Sequence, residues 1–247
     1  MGNGNARATT DAARERWRRI SDRDVDWCSG VMNEVVVRLG EQELPEMYDR
    51  LIGPLFNWRY DKFDVSTADW NTESLPTLLY VALEAMRAYL SAAQRDGAPL
   101  ELIEYDDRWE LRFDPCGSGG RSIRGDWVEN TPSRMEPPYN LKVTQDAYDW
   151  TDGKKGICVY CNHCQVVMEH MPMDKFGYPV RVVEPPIYPD NARDNSRQKC
   201  KWTMYKDPTT VPEEIYKRCG REKPTKFGSR ALGTAGQTVN TGFLGDG

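Results

Sequence analysis

The residues best equipped for chemistry lie in one short run, Cys158-Val159-Tyr160-Cys161-Asn162-His163-Cys164, with His170 shortly beyond it. The chain has 7 cysteines and 2 histidines, so three of the thiols and both imidazoles fall between positions 158 and 170. Thiolates and imidazoles bind zinc and other transition metals, and a thiolate beside an imidazole is also a nucleophile with its base. On an α-helix, at about 100° per residue, Cys158, Cys161 and Cys164 share one arc while His163 and His170 fall on another side. A helix therefore separates thiols from imidazoles, whereas a loop would let Cys161, His163 and Cys164 reach one ion. The expected metal ligands are Cys116, Cys161, Cys164 and Cys200, taking zinc or another transition metal. The plain alternative is that these cysteines are small apolar core residues and the histidines hydrogen-bonded buried rings. A paired zinc ribbon is not expected, because a second CxxC is missing.

A second chemical feature is Phe113-Asp114-Pro115-Cys116-Gly117-Ser118-Gly119-Gly120-Arg121. Glycines there allow backbone N–H groups to converge on an anion, and Arg121 offers paired donors to a carboxylate. Gly117, Ser118, Gly119 and Arg121 are thus the candidate substrate-binding residues. In a covalent reading Cys116 attacks, His163 or His170 takes its proton, and loop amides hold the oxyanion. In a metal reading Cys116 is a ligand and the glycines only turn the chain. The loop lacks GxxxxGK[ST], so a nucleotide phosphate has no support.

The elements that must position these groups follow from periodicity. Ser21 reads as an N-cap for a helix carrying Val25, Cys28, Met32, Val35, Val36 and Leu39, stopped by Gly40. Further helical stretches run over 44–63, interrupted by Gly53-Pro54, and over 74–97. The segments 100–105 and 109–113 flank Asp106-Asp107-Arg108 as a hairpin. A long irregular loop follows Cys116. A helix over 156–171, strands over 180–183 and 199–205, and a short helix over 212–219 complete the reading. The domain expectation is an arm at 1–20, flexible or helical, a helical region at 21–97 and a cysteine-rich α+β unit at 98–220. The tail at 221–247, too poor in apolar residues to fold alone, is expected to be extended or disordered, with a homo-oligomer built through it as one use.

The order of these pieces carries a resemblance. A strand running into Cys-Gly (109–117), a helix bearing cysteines (158–164), an extended segment (180–184) and Cys200-Lys201-Trp202-Thr203-Met204-Tyr205 are similar to 4-vinyl reductase-type small-molecule-binding domains and to L-2-amino-thiazoline-4-carboxylic acid hydrolase-like proteins. The likeness spans about residues 100–206. It implies an α+β fold, an N-terminal helical bundle packed with a small antiparallel sheet of that type. It also implies a small-molecule pocket, with cysteine-bound zinc in sensor relatives and ring-opening hydrolysis in enzyme relatives. Pro185-Pro186-Ile187-Tyr188-Pro189-Asp190-Asn191 stands where sensor relatives carry a further cysteine. The functional expectation is a cytosolic hydrolase or lyase for a small, carboxylated molecule, with Cys116, His163 and Arg121 as catalytic residues. A non-catalytic small-molecule-binding domain with structural zinc is the alternative.

Composition narrows the classes. In 247 residues, 33 Lys plus Arg stand against 38 Asp plus Glu, a net charge of −5 without a basic tract, which argues against nucleic acid as a partner. No stretch approaches the roughly 20 apolar residues that span a bilayer, and the first residues lack a secretion signal's apolar core, so no membrane partner and a cytoplasmic location are expected.

Overall fold

A computed structural model describes residues 3–52, 79, 100–113, 116–126, 129–189, 198–225 and 227. Helix α1, Asn3–Leu39, is one continuous element, so Ser21 lies inside it rather than at its cap. Gly40, at φ 102°, ends it in a conformation that glycine adopts without Cβ strain. A short α2, Leu44–Met47, passes into a π turn, Tyr48–Ile52. The expected continuation to 63 and the helix at 74–97 lie outside the described residues, Leu79 excepted.

The sheet is antiparallel throughout. Strands β1, Glu101–Glu104, and β2, Arg108–Phe113, form the expected hairpin, with Arg108 already in β2. Helix α3, Gly119–Arg124, occupies part of the stretch expected to be irregular. Helix α4, Val159–Gln165, a π turn, Val166–His170, and α5, Met171–Phe176, replace the single expected helix. Strands β3, Val182–Glu184, and β4, Cys200–Tyr205, complete a sheet ordered β1-β2-β4-β3, and α6, Glu213–Lys217, follows. The fold is thus a mixture of helices with a four-stranded antiparallel sheet, an α+β arrangement.

Alternation along the strands builds one core. Leu111 and Phe113 on β2 face inward with Cys200, Trp202 and Met204 on β4, joined by Phe176, Tyr178 and Val183. Phe113 meets Trp202 edge-to-face, ring centroids 5.0 Å apart. Burying a side chain such as Leu111 stabilises the fold by about 1.5–3 kcal/mol. A second apolar cluster joins Val25 and Met32 of α1 to Tyr48, Ile123, Ile157, Cys158, Val159 and Cys161. The two clusters meet at the cysteines. Cys116 and Cys200 belong to the first, Cys158 and Cys161 to the second, and Cys164 packs on the first from α4.

The buried stripe of α1 is partly ionic. Arg18, Asp22 and Ser29 are buried on the same face as Val25 and Met32, while Cys28 and Leu39, expected on it, are exposed. Of the tail, Arg221 pairs with Asp174 at 2.7 and 2.6 Å and Phe227 packs against Tyr178. Residues 228–247, on which the oligomer expectation rests, lie outside the described set.

Candidate metal centre

Sheet register explains how thiols distant in sequence meet. Cys200, first residue of β4, stands opposite Phe113, last residue of β2, and the chain reaches Cys116 just after that strand. Helix α3 then presses on α4. A Cβ built on Gly119 would stand 2.2 Å from the Cys161 sulfur, so only glycine permits this approach. Cys116, Cys158, Cys161 and Cys200 are buried, and Cys164 is partly exposed. Beyond burial, the thiolate charges of Cys158, Cys116 and Cys200 raise Cys161 further, those of Cys116 and Cys158 raise Cys164, and those of Cys116 and Cys164 raise Cys200.

Hydrogen-bond donors converge on these sulfurs. The Gly120 N–H donates to Cys116 Sγ at 3.1 Å, and Ser118 Oγ lies 3.5 Å from the same atom. Thus the glycine-rich segment does direct an amide at a potential anion, and that anion is the chain's own sulfur. The buried indole N–H of Trp202 stands beside Cys200 and, by hydrogen bonding, favours ionisation of that thiol. Such donors gain most from a thiolate acceptor.

Without a cation, burial opposes ionisation. The hydrogen bond from Cys161 to Cys158, together with burial, pushes Cys161 well above the usual thiol range, and the same bond holds Cys158 below it. Burial pushes Cys164 up to about 12 and Cys200 well above the ordinary value, with Arg181 and Arg124 opposing at the two sites respectively. A transition metal reverses this balance, because it binds the deprotonated form.

The histidines stand apart from each other. His163 bonds through Nδ1 to the Tyr160 carbonyl, and the sulfur nearest its Nε2 is Cys164, at 3.6 Å. Burial pulls its pKa down to about 4, leaving a neutral ring. His170 instead points Nε2 at Asp152 Oδ1, 3.0 Å away. Arg121 faces α1: its guanidinium donates to Asp26 Oδ1 at 2.7 Å, the Asp22 carbonyl at 3.0 Å and the Gly117 carbonyl at 3.2 Å. With Asp126 3.6 Å away and 3% exposure, this arginine is an internal tie between α3 and α1, in place of the substrate contact expected of it. Gly117 and Ser118 likewise spend their carbonyls within α3, on Arg121 and Ser122.

A second polar cluster escaped sequence reading. Asp152, His170 and Cys219 form, among the described residues, the one set of three candidate ligand atoms all within 4.8 Å of one another. Asp152 also accepts from Gln165 Nε2 at 2.7 Å and pairs with Arg218 at 3.4 Å, and Arg218 reaches Glu169 at 2.5 Å. Glu169 in turn accepts the Val183 N–H at 2.6 Å, fastening the π turn to β3. Burial raises Glu169 to about 7; Asp152 is lowered, burial being outweighed by His170 and Arg218. Nothing in the spacing of Asp152, Glu169 and Arg218 announces this network, since three separate turns bring it together.

Comparison with protein-family models, curated proteins and solved structures finds no match. No helix among the described residues is long and apolar enough to cross a membrane.

Proposed function

We propose that this chain is a metal–thiolate protein of the small-molecule-binding α+β type, in which Cys116, Cys161, Cys164 and Cys200 hold zinc or another transition metal as a structural centre. The observation that supports the reading is that Cys116 after β2, Cys161 and Cys164 on α4 and Cys200 on β4 lie where two apolar clusters meet, with the Gly120 amide donating to one sulfur. The residues fit a metal: all four are thiols, three of them buried, and the Gly120 N–H donates to the Cys116 sulfur. A closed, all-protein ligand set is the mark of a structural site. Bound there, a metal supplies the positive charge that lets buried thiolates exist and ties β2, β4 and α4 together.

Elemental analysis of the full chain by plasma mass spectrometry, paired with thermal melts with and without chelator, tests this. Bound metal and a chelator-induced loss of folding are expected. A chain without metal of any kind, melting identically in chelator, overturns it.

One observation favours a second reading, a hydrolase or lyase for a small carboxylated molecule: Cys164 is the partly exposed thiol and lies 3.6 Å from His163. With the thiol at about 12 and the imidazole at about 4, both are neutral near pH 7, which is not the ionised pair of a resting nucleophile. Trapping of Cys116, the nucleophile expected from sequence, or of Cys164 by a turned-over substrate would support it.

A further inference from the structure

Asp152, His170 and Cys219 lie outside the set of thiols proposed above, and the metal–thiolate reading makes no use of them. Each offers one donor atom, and the three atoms stand within 4.8 Å of one another. In a nucleophile–base–acid relay the imidazole stands between thiol and carboxylate, which bond to different ring nitrogens. Three mutually close donors instead surround one point. A tetrahedral zinc with N and O ligands at about 2.0–2.2 Å and S at about 2.3 Å spaces them roughly 3.3–3.8 Å apart. His170 Nε2 and Asp152 Oδ1, at 3.0 Å, are already close to that spacing.

The two oxygens of Asp152 divide their work. Oδ2 accepts from Gln165 Nε2 at 2.7 Å and lies 3.4 Å from Arg218, which leaves Oδ1 turned to His170. Partners on one carboxylate oxygen fix the direction of the other, as hydrogen bonds do around metal ligands. His170 ends the π turn Val166–His170, a form of helix that recurs at functional sites. Cys219 follows α6 and, as a thiol, has the Tyr216 carbonyl at 3.2 Å, the Ile215 carbonyl at 3.4 Å and Met173 Sδ at 3.7 Å as acceptors. A cation takes its thiolate, and the proton passes to solvent. Asp152 and that thiolate then offset a divalent charge in a closed place, the three residues being 7%, 1% and 2% exposed. The opposing charge of Arg218 is held by Glu169, at 2.5 Å against 3.4 Å for Asp152.

An independent observation points the same way. Gln165 is wholly buried, and its Oε1 has no hydrogen-bond partner although its Nε2 is bonded to Asp152. A buried amide oxygen without a donor is costly, and this one stands beside the Asp152 carboxylate as an available fourth oxygen or nitrogen-type donor's counterpart for a cation.

We propose that Asp152, His170 and Cys219, with Gln165 Oε1 as fourth donor, form a second, structural zinc site that ties α6 to the π turn and to the turn Asp149–Thr151. The assignment is independent of whether Cys116, Cys161, Cys164 and Cys200 hold an ion. The full chain, purified without chelator, incubated with excess zinc and desalted, is assayed for zinc by plasma mass spectrometry and for fold by circular dichroism. Cys219→Ser and His170→Gln should each hold one zinc fewer per chain than the wild type, and Cys28→Ser should hold as many. X-ray absorption at the zinc edge of the wild type should show N or O neighbours at about 2.0–2.1 Å beside sulfur at about 2.3 Å. One zinc with a single sulfur neighbour sustains this site and overturns the four-thiol centre. Zinc surrounded by sulfur alone does the reverse. Zinc content unchanged in both folded variants, or a wild type that holds no zinc, also overturns the proposal. Where a variant fails to fold, the wild-type absorption spectrum decides, since it needs no substitution.

Discussion

Gly119 is the residue on which the thiol pocket turns, because its missing side chain leaves room for the Cys161 sulfur. In Gly119→Ala the added methyl would stand 2.2 Å from that sulfur, so α3 and α4 must part. Overpacking of this kind costs about 1–3 kcal/mol. The expected outcome is a lowered denaturation midpoint together with reduced metal content; unchanged metal content would remove Gly119 from the account. Two buried groups set a pH signature of opposite signs. Glu169, raised to about 7, holds its proton in the folded chain, so its contribution is full below about 4.5 and is lost as pH rises through 7. His163, lowered to about 4, favours the fold above about 6.5 and loses that contribution as pH falls through 4. Each displacement corresponds to roughly 3 kcal/mol, and the two slopes oppose, so wild-type stability should be nearly flat between pH 4.5 and 6.5. Glu169→Gln keeps the shape of the site and removes one slope. Urea melts of that variant should then show stability rising by up to about 3 kcal/mol from pH 4 to 6.5, and a flat profile would contradict the His163 assignment.

Between elements, the decisive contact is ionic. Arg121 on α3 is enclosed by Asp22 and Asp26 of α1 and by Asp126, whose side chain is 1% exposed. Arg18 of α1 lies 4.0 Å from the same Asp126 carboxylate, and Arg134 reaches Asp26 at 3.5 Å. Removing one partner of a buried pair leaves a charge without compensation, typically at about 3–5 kcal/mol. Arg121→Met should therefore lower the unfolding free energy by about 3–5 kcal/mol, read as a lower urea midpoint with m unchanged. If Arg121 instead served a substrate, the midpoint would hold and ligand affinity alone would fall. The α1 pattern shows why this was hidden. Periodicity places Val25 and Met32 inside, but charged Arg18 and Asp22 share that face because they pair with each other and with Glu15 along α1 and also meet Asp126, Glu129 and Arg121 from far along the chain.

For the whole molecule, the thiols occupy the junction of two apolar clusters, so metal and fold should be lost together. Amide hydrogen exchange with and without chelator should show α4, β4 and the end of β2 losing protection as one unit. Local loss confined to α4, with β4 still protected, would mean that Cys200 does not share the site.

The four strands were legible in sequence because alternation and turn residues are local signals, and α1's end was legible because Gly40 is a local stop. Residue chemistry also singled out the thiols at 116, 158, 161, 164 and 200 as a group worth bringing together. Sequence could not show that α1 runs unbroken past Ser21, since tertiary packing overrides a capping preference, nor that α3 forms within a glycine-rich stretch. It could not separate Arg121, offered to a substrate, from Arg121 held by three aspartates. Nor could it assemble Asp152, Gln165, Glu169, His170 and Arg218. Those decisions belong to the tertiary structure, because antiparallel register sets Cys200 beside Phe113 and one absent Cβ sets α3 against α4.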